Sequence, residues 1–189
     1  RGVSVTVPFK EAVIDQLDEI DDDAGRIGAV NTITNDDGVL RGTNTDWLGI
    51  TAVLREALDI RGKRFAILGA GGTARAALFA VLAEGGRPFI VNRTLERARR
   101  LADEWRCPFC GLEDIGRVQA DCLINTTSVG MAPRDGESLV PSDVVGRFPW
   151  VMDVVYTPLA TRLLKDAKRA GSVPLSGLDM FVAQGAEQL

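Results

Sequence analysis

Apolar positions recur along the chain with two different periods. From Gly2 to Val7 they alternate, with Val3, Val5 and Val7 on one side and Ser4 and Thr6 on the other, until Pro8 ends the run. A period of two in β-branched residues predicts a strand with one apolar and one hydroxyl face. Phe9 to Ile14 then predicts a helix, with Pro8 near its first turn. Asp21-Asp22-Asp23 reads as a solvated loop or a helix end. Asp36-Asp37-Gly38 separates two β-rich runs, Gly28–Asn35 and Val39–Gly42, and signals a hairpin. Leu48, Val53, Leu54 and Leu58 carry helical spacing from Trp47 onward, and Thr45 or Asp46 suits its N-cap.

From Lys63 the pattern becomes strand, helix, strand, helix. Arg64–Leu68, Arg87–Asn92, Asp121–Asn125 and Trp150–Val155 are short apolar runs of the kind buried in parallel sheets, and Val173–Leu175 is a short edge strand. Ala76–Glu84, Leu95–Glu104, Thr161–Ala170 and Gly177–Leu189 read as helices between and after them. Gly111–Gln119 is a connection with room for one helical turn. This alternation predicts an α/β doubly wound parallel sheet.

The first turn of that sheet carries Gly69-Ala70-Gly71-Gly72-Thr73-Ala74 between a strand and a helix, the context that a dinucleotide fingerprint requires. Gly69 permits the tight turn, Gly71 lets backbone approach a pyrophosphate, and Ala74 lets helix and strand pack closely. The helix start offers free N–H groups and partial positive charge to phosphates. The next strand ends in Asn92-Arg93-Thr94, where an NAD site would place a carboxylate for the ribose hydroxyls. No carboxylate stands there to repel a 2′-phosphate, and Arg93 is able to pair with one, so NADP is the expected cofactor. Arg97, Arg99 and Arg100 follow closely and show only that arginine is common in this stretch.

Composition narrows the chemistry. The 189 residues carry 22 Lys and Arg against 26 Asp and Glu, a net charge of −4, so nothing points to nucleic acid or a membrane surface. No apolar run approaches the length of a transmembrane helix. Reduced thiols in a cytoplasmic protein are the expectation for Cys107, Cys110 and Cys122. The Cys107-Pro108-Phe109-Cys110 spacing lacks the second pair that a structural zinc needs, and no metal is expected. The chain has no histidine, so Ser-His-Asp and Cys-His chemistry is excluded. Arg1 in place of an initiating Met marks the expectation of a piece of a longer chain.

Several segments resemble the shikimate dehydrogenase family, and the match runs over nearly the whole chain. They are Ser4-Val5-Thr6-Val7-Pro8-Phe9-Lys10, Gly28-Ala29-Val30-Asn31-Thr32, Asn44-Thr45-Asp46, the glycine turn, Asn92-Arg93-Thr94, Asn125 to Met131, Asp153 to Pro158, and Gln184-Gly185. The resemblance implies NADP-dependent reduction of 3-dehydroshikimate to shikimate, in the biosynthesis of chorismate and the aromatic amino acids. It implies Lys10 and Asp46 as the acid–base pair, the proton being assigned to the pair and to neither member alone. It further implies Ser4, Thr6, Asn31, Gln184 and Tyr156 at the substrate, and Thr126, Met131 and Gly177 near the nicotinamide. Ser4 stands where the family most often has asparagine, and Phe9 where it often has histidine.

The implied fold is a partial α/β substrate domain over residues 1–57, a Rossmann-type domain over 58–173, and a C-terminal segment, 174–189, returning to the first domain. The family's N-terminal segment, with its pair of serines for the substrate carboxylate, is missing, so weakened substrate binding and an exposed sheet edge are expected. A small-molecule substrate is the implied partner, with a homodimer or a fusion to a dehydroquinate dehydratase domain as further expectations. Two alternatives stand beside this reading: a quinate/shikimate dehydrogenase using NAD or NADP, and a non-catalytic sensor of pathway metabolites.

Overall fold

The computed structural model describes residues 1–188, arranged about two sheets; Leu189, at the end of the expected last helix, lies outside the described residues. The first sheet contains β1 (Gly2–Ser4), β2 (Glu19–Ile20), β3 (Thr32–Asp36) and β4 (Val39–Thr43) in the order β1-β3-β4-β2. The hairpin between β3 and β4 forms as expected. Asp37 and Gly38 both take positive φ, 50° and 97°, the backbone twist that suits a two-residue turn between antiparallel strands. Helix α1 (Asp22–Ile27) resolves the acidic run into a helix start, with the Asp21 carboxylate accepting from Ala24 N.

The expected helix at Phe9–Ile14 does not form. The Lys10 carbonyl accepts from Val30 N at 2.8 Å, so the i→i+4 ladder is interrupted, and Ile14 N donates to Glu11 instead. Only a 3-10 turn, Ile14–Gln16, survives. The long-range bond anchors Lys10 beside the 28–31 segment, which matters below. The first strand also ends at Ser4 rather than Val7, and Val3 and Val7 are exposed.

The second sheet is parallel throughout. It contains β5 (Arg64–Leu68), β6 (Arg87–Asn92), β7 (Phe109–Gly111), β8 (Cys122–Asn125), β9 (Trp150–Asp153) and β10 (Val173–Leu175), in the order β10-β9-β8-β5-β6-β7. Side chains alternate between two cores. Phe65 and Ile67 face α2 (Asp46–Ala57), α3 (Gly72–Ala83) and α4 (Leu95–Trp105), while Ala66 and Leu68 face α5 (Ser142–Val145) and α6 (Arg162–Arg169). Both faces are covered, which is why these strands read as continuous apolar runs. The strands β2 and β7 and the short helix α5 carry too few residues to show a period.

Strand β10 includes Val173 to Leu175, so the sheet runs past the expected boundary at 173. Helix α7 (Gly177–Ala186) then leaves the sheet and packs along α2. Gly49 on α2 makes that approach possible. A Cβ there would lie 2.7 Å from the Met180 carbonyl and 3.0 Å from Gln184 Cβ. Gly49→Ala is therefore expected to lower stability by about 1–2 kcal/mol, overpacking outweighing the gain in helix propensity. Urea unfolding reads this as a lower midpoint at unchanged slope.

Candidate active site

The strand order reverses between β5 and β8, and the chain diverges there into two loops at the carboxyl ends of the strands. Open parallel sheets bind ligands at this point. Here the loops bound a groove of about 390 Å³, lined by Gly69, Ala70, Gly71, Gly72 and Thr73 on one side and by Thr126, Thr127 and Ser128 on another. Gly69 has φ 120°, and a Cβ on it would sit 2.6 Å from Thr126 Oγ1. That hydroxyl donates to the Leu68 carbonyl at 2.6 Å and locks the two loops together. Gly71 is open: only Glu11 Oε1, at 3.8 Å, lies near its absent Cβ.

Asn92, Arg93 and Arg97 also line the groove, with Arg134 from the loop after β8. On α4, Arg99 and Arg100 pair with Glu96, whereas Arg93 and Arg97 make no ion pair among the described residues. Unpaired guanidinium groups, a glycine cradle and the start of a twelve-residue helix suit a phosphorylated dinucleotide carrying an extra phosphate. The residues present thus fit NADP. Arg97 and Arg134 escaped the sequence reading; for Arg97 the pairing pattern, and not the composition, separates it from its neighbours.

Lys10 lines this groove, and its ammonium meets Asp46 behind it. Lys10 Nζ donates to Asp46 Oδ2 at 2.5 Å, with side-chain exposures of only 13% and 6%. A longer bond, 3.4 Å, runs from Lys10 Nζ to Thr73 Oγ1. Asp46 Oδ1 accepts from Asn31 Nδ2 at 2.8 Å, and Asp46 N donates to Asn44 Oδ1 at 3.0 Å. Thr45 does not cap α2 with its side chain. Its hydroxyl instead donates to Gln184 Oε1 at 3.1 Å, and Asn31 Nδ2 reaches the same oxygen at 3.2 Å. Gln188, unforeseen in sequence, accepts from Ser4 Oγ and donates to Gln184, each at 2.9 Å.

A largely buried amine–carboxylate pair beside such a groove is chemically able to give or take up a proton. Residues 1–33 match the shikimate dehydrogenase substrate binding domain, and residues 52–132 match the shikimate / quinate 5-dehydrogenase domain. The NADP(+) shikimate dehydrogenase of Moorella thermoacetica is 47% identical over 98% of this chain and 67% of its own. That of Caldanaerobacter subterraneus subsp. tengcongensis is 41% identical over 98% of this chain and 70% of its own. A chorismate mutase/shikimate 5-dehydrogenase fusion protein from Clostridium acetobutylicum superposes with a TM-score of 0.92 at 33% identity, covering 99% of this chain and 69% of that one. A Thermus thermophilus shikimate 5-dehydrogenase in complex with NADP(H) and shikimate gives 0.88 at 38% identity, covering 100% and 71%. The chain belongs to the shikimate dehydrogenase family.

Not every residue implied by that family lines the groove. Ala74 is buried behind it, packing α3 onto the sheet. Gly177 lies against the β9 backbone, where a Cβ would meet the Asp153 and Val154 carbonyls at 2.6 Å. Thr94 offers its carbonyl to Asn92 Nδ2, and Met131 is exposed on the loop. Tyr156 stacks on Phe181 with ring centroids 4.5 Å apart, which places it at the start of the α7 return. Thr6 is exposed on the hydroxyl side of the first segment.

The cysteine pair does not converge on a site. Cys107 packs into one core and Cys110 against the other, on opposite faces of the sheet. Burial pushes the Cys107 thiol up to about 11, and burial with Asp114 and Glu113 raises Cys110, so neither offers a reactive thiolate. No grouping of metal ligands occurs among the described residues.

Asp153, fully buried at the end of β9, supports the loop after β8 from behind. Its carboxylate accepts from Asn125 Nδ2, Val155 N and Thr161 Oγ1, and Asn125 in turn accepts from Thr127 N and holds the loop that lines the groove. Burial outweighs these donors and pushes the Asp153 carboxyl up to about 6 from 3.8. The native state therefore keeps a proton that the unfolded chain releases, so stability from this group falls as pH rises from about 4 to 6 and is level above. Asp153→Asn is expected to remove that fall, seen as a difference between urea-unfolding curves of variant and parent across pH 3.5–7.

Proposed function

We propose that this chain catalyses the reversible NADPH-dependent reduction of 3-dehydroshikimate to shikimate. The observation that carries the reading is the Lys10–Asp46 pair, whose lysine lines the groove formed by the glycine turn. Residues 1–57 act as the substrate domain, residues 58 to about 175 as the cofactor domain, and α7 carries Gln184 back to the substrate.

Bound NADPH supplies the hydride for the ring ketone. Gly69 to Thr73 and the α3 N-terminus take its pyrophosphate, while Arg93 and Arg97 take the 2′-phosphate. Asn31 and Gln184 bind substrate hydroxyls, with Ser4, Thr6 and Tyr156 around them. Lys10 has three donors, of which Asp46 and Thr73 engage two and leave one for the reacting oxygen. That oxygen gains negative charge as the carbonyl is reduced, and the Lys10–Asp46 pair delivers the proton that neutralises it. In the oxidative direction the same pair removes the hydroxyl proton. Among the described residues no helix is long and apolar enough to cross a membrane, in keeping with the proposed cytoplasmic location. The homodimer and the fusion to a dehydratase domain also belong to this proposal. The Clostridium acetobutylicum fusion protein shows that this fold is found joined to a second enzyme.

Lys10→Ala is expected to lower turnover by about 10²-fold or more, with the NADP dissociation constant within about twofold of the parent. Steady-state kinetics with NADP and shikimate, beside calorimetric NADP titration, measures both. Full turnover in the variant overturns the acid–base assignment. Turnover with quinate equal to that with shikimate shifts the reading to the dual-substrate enzyme. NADP binding without turnover in the parent shifts it to a sensor.

The phosphate assignment has its own test. Arg93→Ala is expected to raise the NADP KM by about tenfold, the size of one lost charge-assisted contact, with the NAD KM unchanged. An equal change for both cofactors overturns the role of Arg93.

A further inference from the structure

Two neighbouring contacts join the acid–base pair to the glycine turn. Lys10 Nζ donates to Thr73 Oγ1 at 3.4 Å, and Lys10 Cβ lies 2.9 Å from where a Cβ on Gly72 would be. Thr73 is at the second position of α3, half-buried, and lines the groove beside Lys10. Its hydroxyl accepts from Lys10 but donates to no group among the described residues. A hydroxyl has one proton to give, and this one belongs to a residue that lines the groove at the helix N-terminus. Lysine is a compact charge on a flexible stem, so its direction is set by its partners rather than by its own shape. Asp46 alone fixes one donor and leaves the ammonium free to rotate about that bond. A second acceptor removes this freedom.

We propose that the Thr73 hydroxyl is a positioning group for Lys10, coupling dinucleotide occupancy to the aim of the ammonium. When an anionic oxygen in the groove accepts the Thr73 proton, the hydroxyl oxygen is turned towards Lys10 and the 3.4 Å contact shortens. The remaining Lys10 donor then points at the reacting oxygen of the substrate. This rests on the function proposed above, and it adds a side-chain role at a position where the fingerprint requires only backbone N–H groups.

The test compares Thr73→Val, which keeps shape and loses the hydroxyl, with Thr73→Ser, which keeps the hydroxyl. In the parent, NADPH is expected to tighten shikimate binding by about fivefold or more in calorimetric titrations of the non-reacting NADPH–shikimate pair. Thr73→Val abolishes that tightening and lowers kcat by about tenfold, while NADPH affinity on its own weakens by no more than about threefold. Thr73→Ser restores both. Should the valine variant fail to fold, Thr73→Ala serves in its place. A kcat and a coupling equal to the parent's in Thr73→Val overturn the proposal. So does a loss confined to NADPH affinity, which makes Thr73 a phosphate contact only. Lys10→Ala in the same assay separates the two levels: if it too leaves turnover intact, the function reading fails, and if it alone abolishes turnover, only the Thr73 role falls.

Discussion

A short ion pair, nearly out of water, ties the Lys10 segment to the start of α2. Bringing an ammonium and a carboxylate to 13% and 6% exposure carries a desolvation penalty that their mutual attraction offsets only when the remaining lone pairs are satisfied. The surroundings of Lys10 and Asp46 meet that condition. Asn31 occupies the second carboxylate oxygen, and Asn44 takes the Asp46 N–H while its own amide bonds the Ala29 carbonyl. The Lys10 carbonyl is tied to Val30. These groups come from two segments of the first sheet, residues 28–31 before β3 and Asn44 after β4, so the pair is fixed from two sides.

What crosses between the sheets is equally specific. Arg75, one turn into α3, donates to the carbonyl of Ile27 at the end of α1 and pairs with Glu11 and Glu104. Trp47, Phe79 and Trp105 meet edge to face across α2, α3 and α4, with centroids 5.1 and 6.5 Å apart. These contacts anchor the dinucleotide helix to the elements that carry Lys10 and Asp46. Helix α7 completes the enclosure by laying Gln184 against Asn31 and Thr45. The polar groups of Asn31, Thr45 and Gln184 therefore already satisfy one another within this network.

The parallel sheet was legible because its signals are local: apolar runs, punctuating glycines and a turn that needs positive φ at Gly69. The hairpin at Asp37-Gly38 was legible for the same reason. The segment at Phe9–Ile14 was not, because a backbone bond to a residue twenty positions away outweighed local helical preference. Thr45 obeyed the sequence rule for a cap and took another role, since the tertiary network offered its hydroxyl an acceptor on a helix that arrives 139 residues later. Arg97 was hidden for a different reason. Nothing in sequence distinguishes it from Arg99 and Arg100, and only the carboxylates around each arginine show which charge is left over. Lys10 and Asp46 entered as a pair through family resemblance; local pattern alone placed Lys10 in an expected helix and Asp46 at a helix start.

The adjacent glycines of the turn illustrate how one motif serves two purposes. Gly71 meets almost nothing, and its lack of a side chain leaves backbone bare towards the groove, as phosphate approach demands. Gly72 is crowded: a Cβ there would meet Lys10 Cβ at 2.9 Å and Ala29 Cβ at 3.3 Å. Its smallness answers to the loop that carries Lys10, not to the groove. A side chain at 71 would obstruct the cofactor and leave Lys10 where it is. One at 72 would lever Lys10 away from Asp46 even with the cofactor in place. The consecutive glycines thus answer to different sides, one to the groove and one to the segments that carry Lys10 and Ala29, and the helix that starts between them touches both.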